Sequence, residues 1–146
     1  MEATAKIAKQ IVGRGFCARV SMWCEPGTVG GPAISLSLRD DPYYRSQGWL
    51  DAAALGAELG AKIAGFTGSC ILIDLHGMVI DTSSTLVAIA AMKAVWSCVS
   101  YEPSAKLAEV VDGLIPRFKG VTVDRLEQEL LEYSSSGSRH TPGGPG

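Results

Sequence analysis

The chain has 146 residues, 47% apolar and 19% charged, with a formal net charge of -2 and a pI near 5.6. That length suffices for one domain with a real core, and the composition excludes the polar, highly charged regime of disorder for the main body. With no basic excess and no Lys/Arg cluster, nucleic-acid binding driven by phosphate neutralisation is excluded as well.

Residues Thr4 to Val12 set Ile7, Ala8 and Ile11 on one side of a helical projection, with Lys6, Lys9 and Gln10 elsewhere, and predict a short leading helix. The segment Met1 to Phe16 holds no apolar run of signal-sequence length, so secretion is not expected. From Phe16 to Glu25, Ala18, Val20, Met22 and Cys24 alternate with Cys17, Arg19, Ser21 and Trp23. After the Pro26 to Gly31 break, Ile34, Leu36 and Leu38 alternate with Ser35, Ser37 and Arg39. The two runs predict the antiparallel strands of one hairpin. Gly27, Gly30 and Gly31 then belong to its loop; a phosphate loop would need a following Lys and a helix.

The turn-rich stretch Asp40 to Gln47 leads to a helix from about Gly48 to Ala64. Trp49, Ala53, Gly56, Leu59, Gly60 and Ile63 share one arc of it, opposite Asp51, Glu58 and Lys62, with Leu55 an apolar contact candidate on the charged side. The small residues of the arc predict close packing against a sheet, which offsets the roughly 1 kcal/mol that each Gly costs relative to Ala. Gly65 to Ser69 ends the helix, and Cys70 to Leu75 is an unbroken β-favouring run, the pattern of a central strand covered on both faces. Asp81 is a good N-cap for a helix from about Ser84 to Val99, in which Lys93 and Ser97 form the only evident wet stripe. That helix is either enclosed by protein or part of a homo-oligomer interface. Its apolar run, Leu86 to Val99, falls short of the roughly 20 residues a membrane span requires.

Beyond Pro103, Leu107, Val110, Val111 and Leu114 interleave with Lys106, Glu109 and Asp112 as a helix ending near Pro116. Phe118 to Val123 reads as an edge strand or connector, and Asp124 caps a last helix with Leu126, Leu130 and Tyr133 on one face. The four cysteines, Cys17, Cys24, Cys70 and Cys98, include no C-x-x-C pair and are expected reduced, in a cytoplasmic protein. The expected fold class is α/β: a small mixed β-sheet, with an N-terminal antiparallel hairpin and a central strand at residues 70–75, covered by helices. Residues 1–133 are expected to form one domain, and residues 134–146, with nothing apolar to bury, a disordered tail.

Asp74, His76, Asp81, Thr82, Ser83, Ser84 and Thr85 gather around the carboxyl end of the central strand, where open α/β sheets place ligands. Two readings of 81–85 stay open. The helix-start amides and hydroxyls can serve an anion or a partner's backbone, or Asp81 caps the helix and the hydroxyls satisfy nearby backbone groups. Asp74, His76 and Asp81 form an alternative polar cluster for acid-base chemistry in a small oligomeric enzyme, with Asp74 and His76 on one strand face. Nothing has metal-site spacing, no cofactor is called for, and no G-x-S-x-G nucleophile turn is present.

The segment Ile71 to Met78, followed by Asp81-Thr82-Ser83-Ser84-Thr85-Leu86, resembles the STAS and STAS-like domains, the family of anti-sigma-factor antagonists and related regulatory modules. Within Arg45 to Val95, the stretch Tyr44 to Gly48 and its Ala-rich helix are also similar to the lead-in of that family. The resemblance implies a non-enzymatic module that binds a kinase-like or other regulatory protein through the loop and helix start at Asp81 to Thr85. It also implies phosphorylation of the serine there, which Ser83 or Ser84 matches. A self-assembling subunit, joined through the apolar helix Leu86 to Val99, is the structural alternative.

Overall fold

The structure, a computed structural model, describes residues 2–11, 14–27, 33–36, 48–77, 82–115 and 128–130. In chain order these form β1 (Glu2–Ile11), β2 (Arg14–Pro26), β3 (Ala33–Leu36), α1 (Trp49–Ala64), β4 (Gly68–His76), α2 (Ser84–Cys98) and α3 (Ala105–Leu114). The strands make one mixed sheet in the order β1-β2-β4-β3, with β3 parallel to β4 and the other neighbours antiparallel. The expected α/β class, a small mixed sheet with helices packed on it, is therefore present.

The leading segment is a strand and not a helix. Ala3, Ala5 and Ile7 turn inward, while Glu2, Thr4 and Lys6 are outward and exposed. Every residue of β1 is paired, from Glu2 opposite Trp23 to Ile11 opposite Arg14. Ala and Lys favour helices weakly, and a full ladder of backbone hydrogen bonds plus one buried face overrides that preference. The N-terminal hairpin is thus β1–β2, joined by two residues, the shortest common hairpin connection. The expected partner of β2, the strand at 33–36, lies across the sheet beside β4 and runs parallel to it. A parallel pair needs a long crossover, and α1 sits in it.

Ala18, Val20, Met22 and Cys24 of β2 are all buried, as their alternation requires. On β4 only the inner face is fully covered: Cys70, Leu72 and Leu75 are buried, Ile71 and Ile73 half-buried, and Asp74 and His76 exposed. Among the described residues the expectation of cover on both faces fails, because the described helices lie on one face and the other face of β4 keeps contact with solvent.

The helices α1 and α2 pack on each other in parallel, Gly48 near Ser84, Gly56 near Ala88 and Gly60 near Met92. The Trp96 indole N–H donates to the Gly60 carbonyl at 3.0 Å across the same seam. The small arc of α1 therefore serves a close approach to α2, where a sheet contact was expected. Twelve of the fifteen residues of α2 are buried, so this chain itself encloses the apolar helix, with Lys93 half-buried and Ser97 exposed as its wet stripe. Leu55 is half-buried. No helix among the described residues is long and apolar enough to cross a membrane.

Both helix ends follow from their sequences. Gly65, in left-handed conformation, closes α1 with the Phe66 N–H on Ala61 O and its own N–H on Lys62 O. The same pattern closes α2: Tyr101 N–H to Trp96 O, Ser100 N–H to Ser97 O, and Ser100 at φ 57. The rings of Trp96 and Tyr101, 5.5 Å apart, supply the apolar contact that accompanies such caps. Residues 128–130 are helical and Leu130 is buried. The expectations for Phe118 to Val123, the Asp124 cap and the tail from Ser134 lie outside the described residues.

Candidate functional site

The central strand ends at His76, and α2 begins at Ser84. Gly77 sits where an added Cβ would press on Thr82 and on the Trp49 ring, so the chain leaves the strand directly beneath the start of α1. The Thr82 hydroxyl donates to the Cys17 carbonyl and fastens this connection to β2. Ser83, in extended conformation, accepts the Leu86 N–H on its Oγ at 3.2 Å. Ser83 is therefore the N-cap of α2, two residues after the expected one; Asp81 itself lies outside the described residues.

Thr82, Ser83 and Ser84 are half-buried, and Thr85 is only 3% exposed. Ser84 Oγ lies 3.7 Å from where a Cβ on Gly48 would be, and Gly48 is the N-cap residue of α1. Two helix N-termini therefore open side by side at this end of the molecule. Each carries the positive end of a helix dipole.

Asp74 and His76 do share a strand face, but it is the face turned away from the helices. There Asp74 lies 3.5 Å from the Arg19 guanidinium, and Arg19 is the cross-strand partner of His76. Thr82 to Thr85 instead lead into the helical layer, so the two candidate sets leave the strand end toward different layers. Among the described residues, no group of three His, Cys, Asp or Glu side chains is arranged to hold a metal ion.

Two features escaped the sequence. Trp23, on the face turned away from the described helices, is 37% exposed, with its indole N–H on Glu25 Oε1 at 3.0 Å. Alternation places it outward, but nothing in the sequence says that no described helix covers this face. The second is a cavity of about 520 Å³ at the far end of α2, lined by Lys93, Trp96, Ser100, Tyr101 and Asp112 among others. A 2.9 Å ion pair from Lys93 to Asp112 ties α2 to α3 there.

No protein-family model matches the chain, and no curated protein matches it. Among solved structures, ttk003000868 from Thermus thermophilus superimposes with a TM-score of 0.54 at 19% identity, over 77% of this chain and 20% of that one. A homoserine kinase from Cytophaga hutchinsonii gives a TM-score of 0.47 at 12% identity, over 97% of this chain and 42% of that one. The first likeness shows the fold alone, and the second is too loose to carry an argument. The chain spans a fifth of the one protein and under half of the other.

Proposed function

We propose that the chain is a non-enzymatic regulatory module of STAS-like type, which binds a protein partner through the loop and helix start at residues 81–85. The observation that carries this reading is the adjacency of Ser84 to Gly48, which sets the starts of α1 and α2 side by side. Paired helix N-termini favour an acidic or carbonyl-rich partner surface. Thr82 and Ser83 spend their hydroxyls on fixing the loop to β2 and capping α2, which suits a preformed contact surface.

Phosphorylation at Ser83 or Ser84 is the switch in this reading. A phosphate adds roughly -2 of charge and turns an end that attracts an acidic partner into one that repels it. A cytoplasmic location goes with the proposal, in keeping with four cysteines that are all free thiols.

The test compares capture of the partner by the wild-type chain with capture by Ser83→Asp and Ser84→Asp. At the Ser83 cap Asp serves as well as Ser does, and at Ser84, the first residue of α2, an acidic side chain suits the helix dipole, so both variants should melt like the wild type while losing the partner. If both retain the same partner at the same level, the proposal is wrong. Ser83→Ala removes the cap and should cost about 1 kcal/mol of stability, which separates a folding effect from a binding effect.

A further inference from the structure

The strand pair β2–β4 brings Cys24 and Cys70 into direct cross-strand register. Both face the core, 3% and 0% exposed, and their Sγ atoms are 3.4 Å apart, with Cys24 donating to Cys70. Directly opposed residues of an antiparallel pair have Cα atoms about 4.5–5.5 Å apart. That lies inside the range of roughly 4.4–6.8 Å that a disulfide bridges. The strands need not move for the bond to form; the sulfurs must close from 3.4 Å to about 2.0 Å.

We propose that Cys24 and Cys70 are a reversible oxidation site, closed to a disulfide by a hydroperoxide. Cys70 sulfur attacks a peroxide oxygen, the O–O bond breaks, and the departing oxygen leaves as water after taking a proton. Cys24 sulfur then attacks the resulting Cys70 sulfenic acid, and its hydroxyl leaves with the Cys24 proton as a second water (for an alkyl hydroperoxide, the first product is the alcohol). Two thiols lose two electrons, and the peroxide gains them.

The order of attack follows from the hydrogen bond. By accepting the Cys24 S–H, Cys70 is held below the ordinary thiol range, while Cys24 is pushed up to about 12, and the thiolate is the nucleophile. Access comes from the nearby strand end. The pair lies two rungs from the terminal Pro26–Gly68 pairing, where a local opening uncovers it without unfolding the sheet. Cys98 approaches from the helical layer, hydrogen-bonded to Cys24 as well as to the Met22 carbonyl at 3.2 Å, so it is the competing partner that the experiment must separate, and half-buried Cys17 points to the other face of β2.

The experiment treats the reduced full-length chain with hydrogen peroxide under native conditions, alkylates it in denaturant and maps the peptides by mass spectrometry. Two of the four thiols should be lost, as one linked pair containing residues 24 and 70, and dithiothreitol should restore both. Cys17→Ala and Cys98→Ala should each still form the link. The proposal is overturned if Cys24 and Cys70 remain alkylatable while Cys17 oxidises. It is equally overturned if the linked pair is Cys24 with Cys98, or if Cys70 passes to sulfinic acid with no link. The wild-type map decides the matter even if a variant fails to fold.

Discussion

Asp74 faces solvent and Leu75 faces the core, the reverse of what strict alternation from Cys70 and Leu72 would give. The ladder steps from Met22 opposite Leu72 to Ser21 opposite Asp74, so Ile73 is an extra residue, a β-bulge that shifts the phase of the strand. Without it a carboxylate would enter the apolar layer, where an unpaired charge is very costly. Leu75→Ala should therefore lose about 2–5 kcal/mol, as buried leucines do. Asp74→Ala gives up only a 3.5 Å pair with Arg19 whose partners are 44% and 53% exposed, and such pairs contribute under about 1 kcal/mol. Urea denaturation of the two variants checks this, and the opposite ranking would refute the bulged register.

The contact of α1 with α2 sets a second expectation. A Cβ added at Gly56 would overlap the backbone carbonyl of Ala88, which cannot rotate aside. Gly56→Ala should cost about 1–3 kcal/mol, even though alanine is the better helix former. Gly113, in α3, has open space around its Cβ position, so Gly113→Ala should gain about 0.5–1 kcal/mol from propensity alone. Thermal melts of the two variants should shift in opposite directions. A Gly56→Ala protein as stable as the wild type would mean that the helices do not approach so closely.

What could be read from residues alone divides along physical lines. Alternation fixed β2, amphipathic spacing fixed α1 and α3, and a continuous apolar run marked both β4 and α2; these are local signals. The pairing of β3 is not local: no residue in 33–36 says whether its neighbour is β2 or β4, or which way it runs. In β1 Ala3, Ala5 and Ile7 alternate with Thr4 and Lys6, but Ile7, Ala8 and Ile11 also share one side of a helical projection, and the ladder to β2 decides between the two. The bulge had one trace, the charge of Asp74 in phase with buried Cys70 and Leu72. At the candidate site the polar cluster was legible. Its division between two layers was not, because that depends on which face the helices cover.

Ser100 holds a left-handed conformation, φ 57, at the end of α2, the position that Gly65 fills at the end of α1. The two hydrogen bonds around it, Tyr101 to Trp96 and Ser100 to Ser97, require that conformation. A side chain there costs on the order of 1 kcal/mol. Ser100→Gly should raise stability by about 0.5–1 kcal/mol, after the added freedom of the unfolded chain is discounted. Gly65→Ala should lose about 1 kcal/mol by the same reasoning, since space is open at Gly65 and only the conformation is strained. Calorimetry on the pair checks both, and a destabilised Ser100→Gly would show that its side chain contributes more than its strain costs.

The buried thiols give stability a definite dependence on alkaline pH. Cys24 is pushed up to about 12, chiefly by its hydrogen bond to Cys70, and Cys98 is pushed up by its hydrogen bond with Cys24, with burial adding to both. Tyr101 is raised by desolvation. Unfolded thiols lose their protons around 9.0, while the folded chain still holds those of Cys24 and Cys98. Above that pH the unfolded state binds fewer protons, so stability falls as pH rises, and below it the contribution is fully present. Cys70, held down, works in the opposite sense and cancels part of the slope. Each uncompensated proton is worth about 1.4 kcal/mol per pH unit. Urea midpoints of the reduced protein should therefore be level from about pH 7 to 8.5 and decline beyond about pH 9. Cys98→Ala should flatten that decline by removing one of the two raised thiols, and a wild-type midpoint that stays level through about pH 10.5 would show that these sulfurs are not held protonated in the core.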